Sequence, residues 1–216
     1  MIELAAVLRD MATELEGEGF RFAVVGGLAV TIRGTPRFTG DADLAVAAAT
    51  DGQAEHLTRH LLGRGYRLHA QVEHRETGRL AIVRLVSPRS HGPNHFIVDL
   101  LFSTTGIEPE IVRAAEPAEV MPGVVLPVAR RGHLIAMKVI SASDKRLLDR
   151  ADLLDLLRRA DDGDLQMARQ AVGASQATGL HRDRNLSAEL EEHLRLARLP
   201  DDPTFIPRAV PPAPLP

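Results

Sequence analysis

Two aspartates separated by a single residue are the strongest chemical signal in the sequence. Asp41 and Asp43 stand in the segment Asp-Ala-Asp-Leu. Because side chains alternate between the two faces of a strand, both carboxylates should project to one side, about 7 Å apart along the chain. At an effective dielectric constant of about 20, such a pair repels by roughly 2–4 kcal/mol. The spacing therefore predicts a bound divalent cation, Mg²⁺ or Mn²⁺.

A glycine pair precedes these aspartates. Phe22–Val25 is a short apolar run that ends at Gly26 and Gly27, and residues 28–34 can form a helical turn or two. Glycines at a helix start leave backbone N–H groups free to point at an anion, and they let a phosphate approach the main chain. Together with the cation, the glycine turn predicts a site for a nucleoside triphosphate. Thr39 shares the strand face of the two aspartates, so its hydroxyl should reach the phosphates. The alternative is a glycine turn beside a solvated Asp-x-Asp segment.

A third aspartate, Asp99, interrupts an apolar strand predicted over residues 96–102. Burying an ionised carboxylate without compensation is costly, so Asp99 must be paired, hydrogen-bonded or metal-bound. A partnered structural carboxylate would explain Asp99 taken alone. Beside Asp41 and Asp43, we predict that it completes a two-metal site, where it binds the catalytic metal and takes a proton from an attacking hydroxyl.

Two further charges stand on apolar helix faces in the second half of the chain. Asp149 and Asp155 have basic residues three or four positions away, as in ordinary helix-surface pairs, whereas Asp152 has none. Lys138 is equally out of place on an apolar helix. Because a short loop joins the two helices, we predict an Asp152–Lys138 pair that orients the ammonium towards the nucleotide phosphates. A buried helix–helix salt bridge without that role is the alternative.

The elements that must position these residues are strands in the first half of the chain and helices in the second. Apolar periodicity predicts helices over 3–17, 53–63 and 107–115, and strands at 22–25, 80–86 and 96–102 as well as at the two aspartates. A short extended region is expected over 119–128. Helices should follow over 131–142, 144–160, 164–174 and 186–198. We expect an α/β core over 1–128, a helical region over 129–199 that completes the site, and a proline-rich tail over 200–216.

Composition narrows the class of protein. The 216-residue chain has no cysteine, which excludes structural disulfides and thiolate metal sites. Its formal net charge of −3 argues against non-specific coating of nucleic acid, so a nucleic-acid partner would need a local basic patch. The N-terminus lacks the pattern of a signal peptide and no run reaches membrane-spanning length, so we expect a cytoplasmic protein without a membrane partner. The candidate patch residues are Arg33, Arg37, Arg75, Arg79, Arg130 and Arg131.

The ordered set of motifs resembles the polymerase-beta-type nucleotidyltransferases, over roughly residues 20–160. Within them it is most similar to the abortive-infection E toxin branch, which includes the MenT-type toxins. Two positions depart from many members, which have Gly-Ser where this chain has Gly26-Gly27 and Lys where it has Leu148. The motifs are Val25-Gly26-Gly27, Arg37-Phe-Thr39-Gly-Asp41-Ala-Asp43, Asp99 in an apolar strand, Lys138 on a helix, and Asp149-Arg-Ala-Asp152.

The resemblance implies an α+β fold, with a small mixed β-sheet nucleotidyltransferase core and a helical C-terminal half. It implies that the paired aspartates bind magnesium, that Lys138 contacts the nucleotide, and that a Ser or Thr at the position of Thr39 is a phosphorylation target. Several such toxins transfer nucleotides from a nucleoside triphosphate to the tRNA 3′ end and stop translation, and a cognate antitoxin would be the protein partner. The alternatives are a small-molecule nucleotidyltransferase of the aminoglycoside type and a non-catalytic nucleotide-binding regulator.

These considerations define one set of candidate site residues. The metal ligands are expected to be Asp41, Asp43 and Asp99. Lys138 and Asp152 join them as catalytic residues, and Gly26, Gly27, Thr39 and Lys138 are expected to bind the nucleotide.

Overall fold

A computed structural model describes residues 2–36, 39–74, 78–90, 95–102, 105–142, 147–179 and 184–199. These residues form eight helices and seven strands, which confirms the predicted α+β class. In chain order the elements are α1 (Ile2–Gly17), β1 (Phe22–Val25), α2 (Gly26–Arg33), β2 (Ala42–Val46), α3 (Asp51–Gly63), β3 (Arg67–Glu73), β4 (Leu80–Val86), β5 (Ile97–Leu101), α4 (Glu108–Ala114), β6 (Glu116–Met121), β7 (Val124–Val128), α5 (Arg131–Ser141), α6 (Leu147–Arg158), α7 (Asp162–Ala177) and α8 (Leu186–Ala197).

The strands form one mixed sheet in the order β3-β4-β5-β2-β1-β7-β6. Strand β2 lies between β1, to which it is antiparallel, and β5, to which it is parallel. This central position matters because β2 and β5 carry Asp43 and Asp99. The parallel register sets these two residues directly opposite each other.

The centre of the sheet is deeply buried. All four residues of β1 are buried, in keeping with their uninterrupted apolar sequence. Helix α1 contributes Leu8, Met11 and Leu15, which are spaced three or four residues apart on one helix face and are fully buried in the core. Each buried side chain of this size stabilises the fold by about 1.5–3 kcal/mol. The middle strands are therefore a firm base for the acidic residues that they carry.

The helical half is fixed by a close helix crossing. A Cβ atom on Gly132 of α5 would lie 2.5 Å from the backbone oxygen of Asp164 and 2.7 Å from the Cβ of Met167, so only glycine fits there. Arg131 donates to the Asp164 carboxylate at 2.7 Å, and Asp164 also completes the capping box at the start of α7. These contacts hold α5, the helix that carries Lys138, against α7.

Two parts of the sheet differ from the sequence-based expectation. No strand was predicted over β3, and residues 119–128 were expected to form a short extended region rather than most of the β6–β7 hairpin. Strand β3 lies at the sheet edge and is exposed along its whole length, although Leu68, Ala70 and Val72 alternate with polar residues as in a half-buried strand. Pro117 in β6 suits an edge strand, because one side of that strand has no neighbouring strand to which a backbone N–H would donate.

The last strand, β7, ends at Val128, and helices α5 to α8 follow it. The division into a core, a helical region and a tail stays a prediction, and residues 200–216 lie outside the described residues. Across the described ranges, none of the helices has the length and apolar character needed to cross a membrane.

Candidate active site

Neighbouring strands bring two of the predicted carboxylates together. Asp43 on β2 is paired in register with Asp99 on β5, and adjacent strands lie about 4.8 Å apart. Asp99 is only 6% exposed, whereas Asp43 is partly buried. Asp41 immediately precedes β2 and is exposed, but its charge still acts on Asp43. The three acids therefore form one cluster, which we call the sheet cluster, together with Arg84, described below.

The electrostatics of Asp43 show that this cluster has an excess of negative charge. Burial raises the pKa of Asp43 to about 6, and the neighbouring carboxylates of Asp99 and Asp41 act in the same direction. A backbone N–H group of Gly27 and the ammonium of Lys138 lower the pKa, but they do not outweigh the other effects. A carboxylate in such surroundings would be stabilised in its charged form by an added cation.

The glycine pair is required first by contact with Asp43. Gly26 has a φ of +60°, and a Cβ atom there would lie 2.0 Å from Oδ2 of Asp43, so no other residue fits without displacing the acid. The Gly27 N–H donates to the Asp43 carboxylate. The sequence predicted that these amides point at a nucleotide phosphate. In the structure, an anionic side chain of the protein already takes up one of the donors at the start of α2.

Arg84 is the site residue that the sequence interpretation missed. It lies on β4 opposite Asp99, and its Nε and Nη2 donate to Oδ1 and Oδ2 of that carboxylate at 2.7 and 2.5 Å. This hydrogen-bonded pair raises the pKa of Arg84 above its usual range. A signal for Arg84 was present, because it interrupts the apolar run of β4 as Asp99 interrupts that of β5.

The second group of charges, the helix cluster, consists of Lys138, Asp149 and Asp152. The predicted contact is present, since Nζ of Lys138 lies 2.8 Å from Oδ2 of Asp152. Asp149 was assigned from the sequence to a helix-surface pair, but its Oδ1 lies 2.5 Å from the same ammonium. The side chain of Lys138 is 12% exposed and that of Asp152 is 6% exposed. The Lys138 charge also acts on Asp43, so the two clusters lie close enough to interact electrostatically.

A third acid of α6 ties the helical half to the loop that leads into β2. The backbone N–H and the hydroxyl of Thr35 both donate to Asp155 at 2.7 Å, and Arg159 binds the same carboxylate at 3.1 Å. Burial alone would raise the pKa of Asp155, but these hydrogen bonds lower it below its ordinary value. The sequence predicted only the helix-surface pair, because a contact across 120 residues leaves no local pattern. A Cβ atom on Gly34 would lie 2.6 Å from Asp155, so this approach also requires glycine.

The basic patch expected for nucleic acid is largely engaged elsewhere. Arg33 and Arg130 both form ion pairs with Glu116, at 3.3 and 3.2 Å. Arg131 pairs with Asp164 at 2.7 Å. These arginines tie helices to the sheet and to each other. Two further members of the predicted patch, Arg37 and Arg75, lie outside the described residues.

The predicted metal ligands have suitable chemistry but are not arranged around a common point. Nowhere in the part of the chain that the structure describes do three or more Asp, Glu or His side chains form a group that could hold a metal ion. The physical reason is local: both oxygens of Asp99 bind Arg84, and Asp43 accepts from Gly27. Carboxylate oxygens are the ligands that Mg²⁺ prefers, and the raised pKa of Asp43 indicates a need for positive charge. The donor set therefore fits a hard divalent cation, provided that Arg84 releases Asp99.

Comparison with known proteins extends this description. No protein-family model matches the sequence, and a search of curated proteins gave no match. Among solved structures, an antigenic nucleotidyltransferase-like protein from Paracoccidioides brasiliensis superimposes with a TM-score of 0.50 at 15% identity, covering 88% of this chain and 93% of that one.

Two further solved structures give weaker matches. The antibiotic-resistance factor ANT(2'')-Ia matches at a TM-score of 0.44 and 14% identity, over 89% of this chain and 94% of that one. The lincosamide antibiotic adenylyltransferase LnuA, bound to lincomycin, matches at 0.44 and 13%, over 70% and 94%. The likeness to the fungal protein shows that this chain has the fold of nucleotidyltransferase-like, polymerase-beta-like proteins.

Proposed function

We propose that this protein is a metal-dependent nucleotidyltransferase that transfers a nucleotide from a nucleoside triphosphate to a hydroxyl group. The observation that carries the proposal is the register of β2 and β5, which sets Asp43 against Asp99 in a nucleotidyltransferase-like sheet. Asp41 precedes the same strand, and the charge of Lys138 acts on Asp43. A fold that placed these residues for structural reasons alone would not concentrate acids around a carboxylate whose pKa is raised to about 6.

The named residues divide the chemistry between them. A divalent cation held by Asp41 and Asp43, and joined by Asp99, would neutralise the triphosphate and the charge that develops during transfer. Asp99 would accept the proton of the attacking hydroxyl, whose oxygen forms a bond to the α-phosphorus as the bond to pyrophosphate breaks. Lys138 would bind the phosphates of the nucleotide. Asp149 and Asp152 hold its ammonium in place through the contacts at 2.5 and 2.8 Å.

The proposed acceptor is the 3′ end of tRNA, and the proposed role is that of a toxin that blocks translation and is neutralised by a cognate antitoxin. The support is the resemblance of the ordered motifs to the abortive-infection E branch, from Gly26-Gly27 through the paired aspartates to Lys138 and Asp152. A terminal ribose hydroxyl is also a suitable nucleophile for a carboxylate base such as Asp99.

The test is a transfer assay with unfractionated acceptors. The full-length protein is incubated with total RNA, Mg²⁺ or Mn²⁺ and each labelled nucleoside triphosphate in turn, beside Asp43→Asn. The control is Asp10→Asn, which makes the same change from carboxylate to amide at a residue that pairs with Arg89 and lies on α1 outside both clusters.

Label in tRNA that is lost with Asp43→Asn and kept with Asp10→Asn supports the proposal. Label that enters only a small molecule would instead favour a nucleotidyltransferase of the aminoglycoside type. Nucleotide binding without transfer to any acceptor would favour a non-catalytic regulator.

A further inference from the structure

Arg84 occupies both oxygens of Asp99, the carboxylate proposed above as a metal ligand and proton acceptor. We propose that Arg84 is a positioning residue that competes with the divalent cation for Asp99, and that it exchanges this carboxylate for a phosphate of the acceptor when the substrates bind. The inference rests on the proposed nucleotidyl transfer and names a residue and an acceptor feature that the sequence motifs do not include.

The pairing with Arg84 leaves neither oxygen of Asp99 without a hydrogen bond. The two guanidinium nitrogens bind one carboxylate oxygen each, at 2.7 and 2.5 Å, which is the fork arrangement of the strongest arginine–carboxylate pairs. The side chain of Asp99 is only 8% exposed, so it has little water to replace Arg84. A carboxylate with both oxygens engaged in this way attracts a metal weakly. Asp99 can act in transfer only after Arg84 has withdrawn.

Arg84 can turn away from Asp99 on the side that does not carry Asp43. The strand order β4-β5-β2 sets Arg84 on one side of Asp99 and Asp43 on the other. Arg84 is therefore two strands, or about 10 Å, from Asp43. Lys138 acts on Asp43, so the triphosphate side of the site already has its cation. The Arg84 side chain is 43% exposed and can turn towards the opposite side, from which the attacking group must arrive.

A phosphate of the acceptor is a suitable new partner for the Arg84 guanidinium. A guanidinium that gives up a bidentate carboxylate needs another anion of similar shape, and a phosphate provides one. In a polynucleotide, a phosphate lies on the same nucleotide as the terminal 3′ hydroxyl. Next to Arg84, the sheet surface continues as small or apolar residues: Ala70 pairs with Arg84, and Val72 pairs with Ile82. Val72 is 50% exposed, so this surface can contact a sugar or a base.

Metal binding tests the competition without requiring transfer. Mn²⁺ alone is titrated into the full-length protein in the absence of nucleotide and RNA. Arg84→Met frees both oxygens of Asp99. Mn²⁺ should therefore bind to this variant at least about tenfold more tightly than to the wild type. Arg84→Lys keeps the charge without the fork and should give an intermediate affinity, and it serves as the second variant if the Met protein is unstable.

Arg89→Met is the matched control for this titration. Arg89 binds Asp10 through the same two nitrogens, at 2.5 and 3.1 Å, and is similarly exposed at 48%. Its removal should leave Mn²⁺ affinity unchanged. Equal Mn²⁺ affinity in the wild type and both Arg84 variants would overturn the competition.

Steady-state kinetics test the exchange and separate the two sources of phosphate. Arg84→Met should raise the KM for the RNA acceptor by about tenfold or more, while the KM for the nucleoside triphosphate stays unchanged. A rise confined to the KM for the triphosphate would overturn the assignment to the acceptor. A lower melting temperature with all kinetic constants and Mn²⁺ affinity unchanged would identify a purely structural salt bridge.

Failure of the proposed function is recognisable in the same experiments. If the wild type transfers nucleotide to no RNA, the proposed function and the acceptor role of Arg84 both fall. The Mn²⁺ titration still decides whether Arg84 competes with the metal at Asp99.

Discussion

The sheet cluster and the helix cluster interact electrostatically but balance their charges in different ways. In the helix cluster, one ammonium donates to two carboxylates. In the sheet cluster, Arg84 binds Asp99, and the pKa of Asp43 is raised to about 6. The comparison indicates that the sheet cluster is built to receive an added cation, whereas the helix cluster is built to hold one that the chain itself supplies.

The largest expected effect comes from removing the central charge of the sheet cluster. Asp43→Asn should lower nucleotidyl transfer by roughly 1,000-fold or more, because cation-based stabilisation of the transferred phosphoryl group is worth several kcal/mol. Circular dichroism should show an unchanged fold. Transfer within tenfold of wild type would remove Asp43 from the catalytic site.

The helix cluster should respond differently, because its cation belongs to the chain. Lys138→Ala leaves Asp149 and Asp152 without their shared ammonium, so the free energy of unfolding should fall by about 3 kcal/mol. Nucleotide affinity, measured by calorimetry, should fall by roughly 100-fold since the phosphates lose a charged donor. Lys138→Arg keeps the charge and serves as the control for folding. A protein that loses stability but keeps its nucleotide affinity would reduce the helix cluster to a structural salt bridge.

Adding negative charge next to the sheet cluster should inhibit transfer. Thr39→Glu places a carboxylate just before Asp41, where it repels both the nucleotide and the acids by about 2 kcal/mol each, and transfer should fall by roughly 100-fold. Thr39→Ser should remain active in the same assay. Full activity of the Glu variant would exclude phosphorylation of Thr39 as a means of switching the enzyme off.

The pH dependence of stability should report on the same acid. Because the pKa of Asp43 is raised from its ordinary 3.8 to about 6, the folded protein holds a proton in that range that the unfolded chain has released. Stability of the metal-free protein should therefore decrease as pH rises from about 4 to 6, by on the order of 2–3 kcal/mol from this group. Mg²⁺ should restore part of the loss at about pH 8 and little at about pH 5.

Urea unfolding in the presence of a chelator, compared between the wild type and Asp43→Asn, isolates the contribution of Asp43 to the pH dependence of stability. The variant should lack the decrease between about pH 4 and 6 and should be the more stable protein at about pH 8. Identical pH profiles for the two proteins would show that the pKa of Asp43 is not raised in the metal-free protein.

The smallest effect is expected at the contact between the two halves. Asp155→Ala removes the hydrogen bonds to Thr35 and Arg159 at a half-exposed position, so stability should fall by about 1 kcal/mol. Transfer should change less than tenfold, because neither cluster loses a charge. A decrease in transfer as large as that of Lys138→Ala would mean that Asp155 acts directly in the site.

Residues that violate a local pattern could be identified from the sequence. Asp99 stands out in an apolar strand and Lys138 and Asp152 on apolar helix faces, because an uncompensated charge there has no local explanation. The central strands and the long helices were predictable for the related reason that their apolar residues recur with the period of the element.

Pairings between distant segments could not be identified in this way. The contacts of Arg84 with Asp99, of Asp149 with Lys138 and of Asp155 with Thr35 depend on which elements become neighbours. Strand β3 has alternating apolar and polar residues, but it is exposed along its whole length and is held in the sheet by pairing with β4. The engagement of Gly27 with Asp43 also had no sequence signal, because a glycine turn looks the same whether it binds a phosphate or a carboxylate of the chain.

The most direct test of the account is a crystal structure of the protein with Mn²⁺ and a non-hydrolysable nucleoside triphosphate analogue. The anomalous signal of manganese should lie between Asp41 and Asp43, with the phosphates near Lys138 and with Asp99 facing the metal. Nucleotide and metal bound away from β2 and β5, with the sheet cluster unchanged, would contradict the proposal that these carboxylates carry out nucleotidyl transfer.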